Sequence, residues 1–200
     1  MKGLNNKVNL YRFGKMVCGA FLKSMYRIEV KGRENIPQTG GILLCSNHIN
    51  NFDPPLVGVA APRDVHFMAK AELFDMPILK TLLPNINAFP VKRGMSDKQA
   101  LRNGLNLLKE GKVLGLFPEG TRSKTGELGQ GLAGAGFFAL KSEAAVVPCA
   151  IKGQYKRGQK VTVIFGKPID FSEMREQKAS ARDATNLIML NIEKLLKESS

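Results

Sequence analysis

Ile42-Leu43-Leu44-Cys45-Ser46-Asn47-His48-Ile49-Asn50-Asn51-Phe52-Asp53-Pro54-Pro55 passes from a compact apolar run to a polar turn and then to paired prolines. The run Ile42–Ser46 suits a strand buried on both faces, which has no need of polar alternation. Asn50 and Asn51 favour a turn, and proline is preferred at the first helical positions. A strand that delivers a polar turn into a helix is the repeating unit of an α/β fold.

The same unit recurs on either side. Short strands are expected at Arg27–Lys31, Val65–Ala69, Ala88–Val91, Val113–Phe117, Val146–Ile151 and Val161–Phe165. Between and after them, Asp97–Lys109 predicts a helix with Leu101, Leu105 and Leu108 along one face and Gly111 as its stop. Leu132–Ser142 and Ala179–Lys197 predict two more helices. Strands separated by helices give an α/β class with a mainly parallel central sheet flanked by helices. Residues 4–25 lack proline and read as an N-terminal amphipathic helical extension. Leu10, Phe13, Val17, Ala20 and Phe21 share one sector, opposite Arg12, Lys15 and Lys23. This divides the chain into a helical segment at 1–25, which reads either as packed on the domain or as membrane-associating, and one domain at 26–200.

A chain of 200 residues fits a single domain, and 44% hydrophobic with 24% charged residues is ordinary for a folded one. The charge is not ordinary. A net +13 implies a partner bearing negative charge: an anionic membrane, an acidic carrier, phosphorylated small molecules or nucleic acid. Cys18, Cys45 and Cys149 are widely spaced, and the only histidines are His48 and His66, so no structural metal is expected. Unpaired cysteines fit a reducing, cytosolic-side environment. The apolar run Met16–Leu22 is short of the roughly 18–20 residues that cross a bilayer, and Lys23 closes it without a small-residue cleavage site.

His48 and Asp53 follow the Ile42–Ser46 strand. On a regular helix they would point about 140° apart, but a turn can fold the carboxylate back onto the ring. Asp53 would then hold one imidazole nitrogen and leave the other to remove a hydroxyl proton. An alternative makes His48 a satisfied histidine and Asp53 the N-cap of the next helix. Phe117-Pro118-Glu119-Gly120-Thr121-Arg122-Ser123 ends another strand, where open α/β sheets place their sites. Arg122 suits bidentate phosphate binding, and the Gly120 backbone N–H is a candidate oxyanion donor. Phe89-Pro90-Val91-Lys92-Arg93 is a third strand exit, from which Arg93 could join Arg122. Gly129-Gln130-Gly131-Leu132-Ala133-Gly134 matches a dinucleotide-binding pattern, yet it does not directly follow a strand and lacks the expected acidic partner downstream. Its glycines are expected to serve a loop and close helix packing.

These segments resemble, in order, the four blocks of the glycerolipid acyltransferases, specifically the 1-acylglycerol-3-phosphate (lysophosphatidic acid) acyltransferases. Asn47-His48 with Asp53 is similar to the first, Phe89–Arg93 to the second, Phe117–Ser123 to the third and Val147–Ile151 to the fourth. Met68-Ala69-Lys70-Ala71-Glu72-Leu73 is similar to a segment common in bacterial members. One departure is Ala133, where many members carry a lysine before a glycine. The resemblance implies acyl transfer from a thioester, either acyl-CoA or acidic acyl carrier protein, to the free hydroxyl of a lysophospholipid, giving phosphatidic acid. His48 would be the base and Asp53 its orienting partner. Arg93, Arg122 and Lys70 would bind the acceptor phosphate, with Asn47, Gly120 and Thr121 completing the acceptor site and Glu119 either helping to hold the acceptor or shaping the loop. No metal and no cofactor beyond the thioester donor are implied.

The implied location is the cytoplasmic face of the cell membrane, peripheral or monotopic, on an anionic surface. Nucleic acid is not an expected partner, since no nucleic-acid motif is present and few aromatics stand beside the basic residues. Rival readings are an acyltransferase for glycerol-3-phosphate or another lysophospholipid, and a non-catalytic basic binding protein.

Overall fold

A computed structural model describes residues 2–92 and 97–198, with side chains described from residue 11 onward. The elements run α1 (Lys2–Met25), β1 (Arg27–Lys31), β2 (Ile42–Ser46), α2 (Asp53–Ala60), β3 (Val65–Lys70), α3 (Pro77–Asn85) and β4 (Ala88–Val91). They continue with α4 (Lys98–Lys109), β5 (Val113–Leu116), α5 (Gly134–Lys141), β6 (Ala145–Gly153), β7 (Lys160–Phe165), α6 (Ser172–Glu176) and α7 (Ala181–Glu198). The described strands form one sheet in the order β1-β7-β6-β2-β5-β3-β4. Every pairing is parallel except β6 with β7. The expected α/β fold with a mainly parallel sheet is the one formed.

β2 lies at the centre of the sheet, and all five of its residues are buried. Side chains alternate across a strand, so Ile42 and Leu44 enter one core while Leu43 and Cys45 enter the other. The first core lies under α1 and α2, the second under α4, α5 and α7. Cys149 lies buried in the first beside β2, and its thiol is pushed up to about 12 by burial. Gly136 lets α5 approach α7, since a Cβ there would lie 1.9 Å from the Ala181 carbonyl oxygen.

Most differences from the sequence reading lie at element ends. Asp97 stands outside α4 as its N-cap, its Oδ1 accepting from Ala100 N–H at 3.0 Å. α5 begins at Gly134 because Leu132 N–H is held by the Pro118 carbonyl at 2.8 Å, outside any helix. α3 was not anticipated. It carries Pro84 inside it and buries none of its residues, so the usual helical signals are missing.

α1 presents both of the faces that its two readings need, and Lys15 is the position that departs from the sequence reading. The sector of Phe13, Val17 and Phe21 points outward, and Met16 beside it is 63% exposed. The packed face is instead Tyr11, Lys15, Cys18 and Leu22, set against α2 and the first core. Burying Leu22 completely contributes about 1.5–3 kcal/mol. Lys15, expected on the polar face, turns inward and donates from Nζ to the Ala61 carbonyl at 2.9 Å. Burial lowers its pKa, and the aliphatic stem makes the inward packing tolerable. α1 is therefore both a packing element and the bearer of an exposed apolar stripe.

Candidate active site

β2, β5, β3 and β4 run parallel, so their C-terminal ends open onto one edge of the sheet, joined there by β6. The residues that follow β2 and β5 meet there. His48 and Asp53 form the predicted pair, with Nδ1 to Oδ2 at 2.8 Å. The turn achieves this by folding the carboxylate backwards. Asp53 Oδ2 also accepts the N–H groups of Ile49 at 2.6 Å and Asn50 at 2.7 Å. The alternative of a plain helix cap does not hold, because Phe52 is the N-cap and makes no side-chain cap bond. Asp53 is completely buried, and His48 keeps only a small exposed edge.

Oδ2 already accepts two backbone N–H groups, so the carboxylate faces the ring as an acceptor and the ring nitrogen as the donor. That places the proton on Nδ1 and leaves Nε2 as the basic nitrogen. The ring itself is fixed by stacking on Phe117, centroids 4.2 Å apart, and Phe117 in turn stacks on Phe67 at 6.0 Å. An oriented imidazole whose basic nitrogen stands at the edge of a buried pair can accept a proton from a hydroxyl.

Glu119 and the turn after β5 shape the wall beside it. His48 N–H donates to Glu119 Oε1 at 2.8 Å, and Gly129 N–H donates to Oε2 at 2.9 Å. Ser123 N–H donates to the His48 carbonyl at 2.8 Å, which sets Arg122 next to the histidine segment. Glu119, Thr121 and Arg122 line a cleft of about 250 Å³ with Gly129 and Gln130. The guanidinium of Arg122 is exposed in that cleft and suits an anion.

Two expected roles change. Gly120 has a left-handed backbone, φ 68°, and its N–H bonds the Phe117 carbonyl at 3.0 Å. The donor expected for an oxyanion is therefore spent inside the turn. Both Asn47 side-chain groups are held by the backbone of Ile151, at 3.0 and 2.7 Å, so Asn47 ties β2 to β6. Of the two roles expected of Glu119, both oxygens serve the loop-shaping one. Lys70 ends β3 at the same edge, two strands from β2, its ammonium 3.3 Å from Glu72. Arg93 lies outside the described residues. The glycine-rich stretch behaves as expected: Gly129 anchors to Glu119, and a Cβ at Gly131 would meet Thr185 of α7 at 2.5 Å.

Sequence reasoning missed Tyr155. Its hydroxyl donates to Asp53 Oδ1 at 2.6 Å, the face of the carboxylate turned away from His48. Gln154-Tyr155-Lys156 is an unremarked loop after β6, with no pattern to single it out.

Comparison with known proteins identifies the family. The acyltransferase family model matches residues 27–152. The chain is 31% identical over 199 residues to the 1-acyl-sn-glycerol-3-phosphate acyltransferase of Bacillus subtilis (strain 168), covering 94% of this chain and 98% of the relative. It is 32% identical over 172 residues to the chloroplastic 1-acyl-sn-glycerol-3-phosphate acyltransferase LPAT1 of Arabidopsis thaliana, covering 80% of this chain and 48% of that longer protein. The crystal structure of the 1-acyl-sn-glycerophosphate (LPA) acyltransferase PlsC from Thermotoga maritima superposes with a TM-score of 0.72 at 25% identity, covering 96% of this chain and 80% of that one. A mainly parallel α/β sheet, an acyltransferase model matching residues 27–152 and a relative matched over 94% of this chain lead to one conclusion: this chain is an enzyme of the acyltransferase family.

Proposed function

We propose that the protein transfers a fatty acyl group from an acyl thioester to the free hydroxyl of 1-acylglycerol-3-phosphate, giving phosphatidic acid for phospholipid synthesis. The observation that carries this reading is the His48–Asp53 pair at 2.8 Å, its backbone hydrogen-bonded to Glu119 and Ser123 of the cleft that Arg122 lines. His48 Nε2 removes the proton as the acceptor oxygen attacks the thioester carbonyl. The tetrahedral intermediate collapses with cleavage of the C–S bond, and the imidazolium returns the proton to the departing thiolate. Asp53 keeps the ring oriented and stabilises it while charged. Arg122, with Thr121, Lys70 and Arg93, holds the acceptor phosphate. The thioester is already an activated acyl donor, so the chemistry asks for no metal or further cofactor.

The acceptor is amphiphilic, and the exposed apolar surface of α1 suits docking at a lipid interface. No helix among the described residues is long and apolar enough to cross a membrane. Met16, Val17 and Phe21 on α1 and Ile78 and Leu82 on the neighbouring α3 present apolar surface beside exposed Arg12, Lys23 and Lys80. Peripheral or monotopic attachment of the segment 1–25 to an anionic membrane follows. The three unpaired cysteines favour its cytoplasmic face.

Purified protein assayed against 1-acylglycerol-3-phosphate, glycerol-3-phosphate and a headgroup-bearing lysophospholipid, each with acyl-CoA and with acyl carrier protein thioester, tests the assignment. Phosphatidic acid is the expected product, and the more effective donor identifies the physiological class. Turnover of either other acceptor, with none of 1-acylglycerol-3-phosphate, would overturn the reading.

A further inference from the structure

We infer that Tyr155 is a positioning residue for the base, acting through Asp53 as the third member of a Tyr155–Asp53–His48 relay. This rests on the assignment of His48 as the base. Asp53 has two oxygens buried away from water, with three donors on Oδ2 and the Tyr155 hydroxyl on Oδ1 at 2.6 Å. A buried carboxylate oxygen without a donor is costly, so Oδ1 needs a donor of its own beside the three on Oδ2. The Tyr155 bond closes the second side and sets the plane in which Oδ2 meets Nδ1.

The phenol is suited to a permanent donor role. Burial, reinforced by the adjacent Asp53 charge, pushes its pKa far above the usual phenolic range, so the proton stays on Tyr155. Its ring is held independently. Tyr26 packs edge-on at 5.3 Å between centroids, and Phe52, the residue before Asp53, lies at 6.3 Å. The relay therefore joins two separate segments, the turn after β2 and the loop after β6, and Tyr26, just past α1, braces it.

Tyr155→Phe removes the hydroxyl and keeps the ring. Without that donor the anionic dyad holds a proton more tightly, so the acid limb of the kcat/KM profile moves to higher pH. The expected result is a fall in kcat on the order of 10-fold, acceptor KM within about twofold, and an acid limb raised by about one pH unit. Tyr155→Leu, which also loses the ring, should be worse and should lower the melting temperature. Tyr155→His, a smaller donor, should recover part of the kcat lost in Tyr155→Leu.

His48→Ala, measured in parallel, separates the two levels. If His48→Ala is inactive while a folded Tyr155→Phe protein keeps wild-type kcat and acid limb, the Tyr155 inference is overturned and the dyad stands. If His48→Ala turns over normally, the dyad itself fails. A lower melting temperature in Tyr155→Phe with an unmoved acid limb would make Tyr155 structural only, and would also overturn the inference.

Discussion

Glu119 reaches across 71 residues of chain to accept the backbone N–H of His48 at 2.8 Å. The bond fixes the peptide that carries the imidazole rather than the imidazole itself. Glu119 thereby couples the turn after β5 to the turn after β2, and its other oxygen holds the glycine-rich loop. The carboxylate behaves as a buried clasp between three loops, with the reactive ring on one of them.

Loss of this clasp should therefore disturb both stability and activity. Glu119→Ala leaves the His48 N–H buried without an acceptor and should cost about 1.5–3 kcal/mol. Glu119→Gln retains an acceptor oxygen and should cost less. Denaturant titrations of the two variants give the comparison, and equal stability of Glu119→Ala and the native protein would show that the clasp is slack.

The base assignment predicts that His48→Ala lowers turnover on the order of 10²- to 10⁴-fold with the fold intact. Asp53→Asn should also impair turnover, since an amide presents the wrong hydrogen-bonding pattern to Nδ1. Steady-state rates with far-ultraviolet circular dichroism check both. A folded His48→Ala protein with near-native turnover would end the mechanism.

Arg122 is exposed in the cleft beside His48, so its removal should be felt in binding rather than folding. Arg122→Ala should raise acceptor KM, and Arg122→Lys should rescue only partly because it lacks the planar fork. Arg93→Ala is expected to behave alike. Unchanged KM at either position would remove that residue from the phosphate site.

Membrane attachment calls for substitutions on the exposed stripe, because deleting residues 1–25 would also strip Tyr11 and Leu22 from the protein's buried interior. The double change Met16→Glu and Val17→Glu should leave the melting temperature nearly unchanged. Sedimentation with anionic vesicles should drop sharply, and native binding should weaken as salt rises. Undiminished sedimentation of the double variant would place the membrane surface elsewhere.

Gly136→Ala tests the packing that supports the second core. The added methyl would collide with the Ala181 carbonyl, which is backbone and cannot rotate away. A loss of about 1–3 kcal/mol is expected, with α5 and α7 forced apart. Calorimetry on the variant decides the matter, and a neutral effect would mean that the helices separate freely.

Much of the fold was legible along the chain because its determinants are local. The run Ile42–Ser46 is apolar throughout, and only a central strand buried on both faces wants that composition. Likewise, the leucine spacing marks α4 and Gly111, with its left-handed φ of 73°, stops it. His48 and Asp53 could be paired from sequence for the same reason: five residues of turn suffice to bring them together. α3 escaped because neither burial nor an uninterrupted pattern marks it.

Everything that depended on distant segments was settled by tertiary structure. The direction of α1 is one case. Its sequence offers two apolar faces, and contact with α2 selects Tyr11 and Leu22 for burial and leaves Phe13 and Val17 outside. The partners of buried polar groups are another. Asn47, Glu119 and Gly120 have the residue types of a binding site, yet the backbone donors and acceptors nearest them claim their hydrogen bonds. Tyr155 meets Asp53 across 102 residues, in a loop that no periodicity distinguishes. Local sequence thus determined the strands, most of the longer helices and the histidine–aspartate pair. Hydrogen-bond satisfaction in the buried interior, a property of the whole fold, decided which neighbours act on that pair.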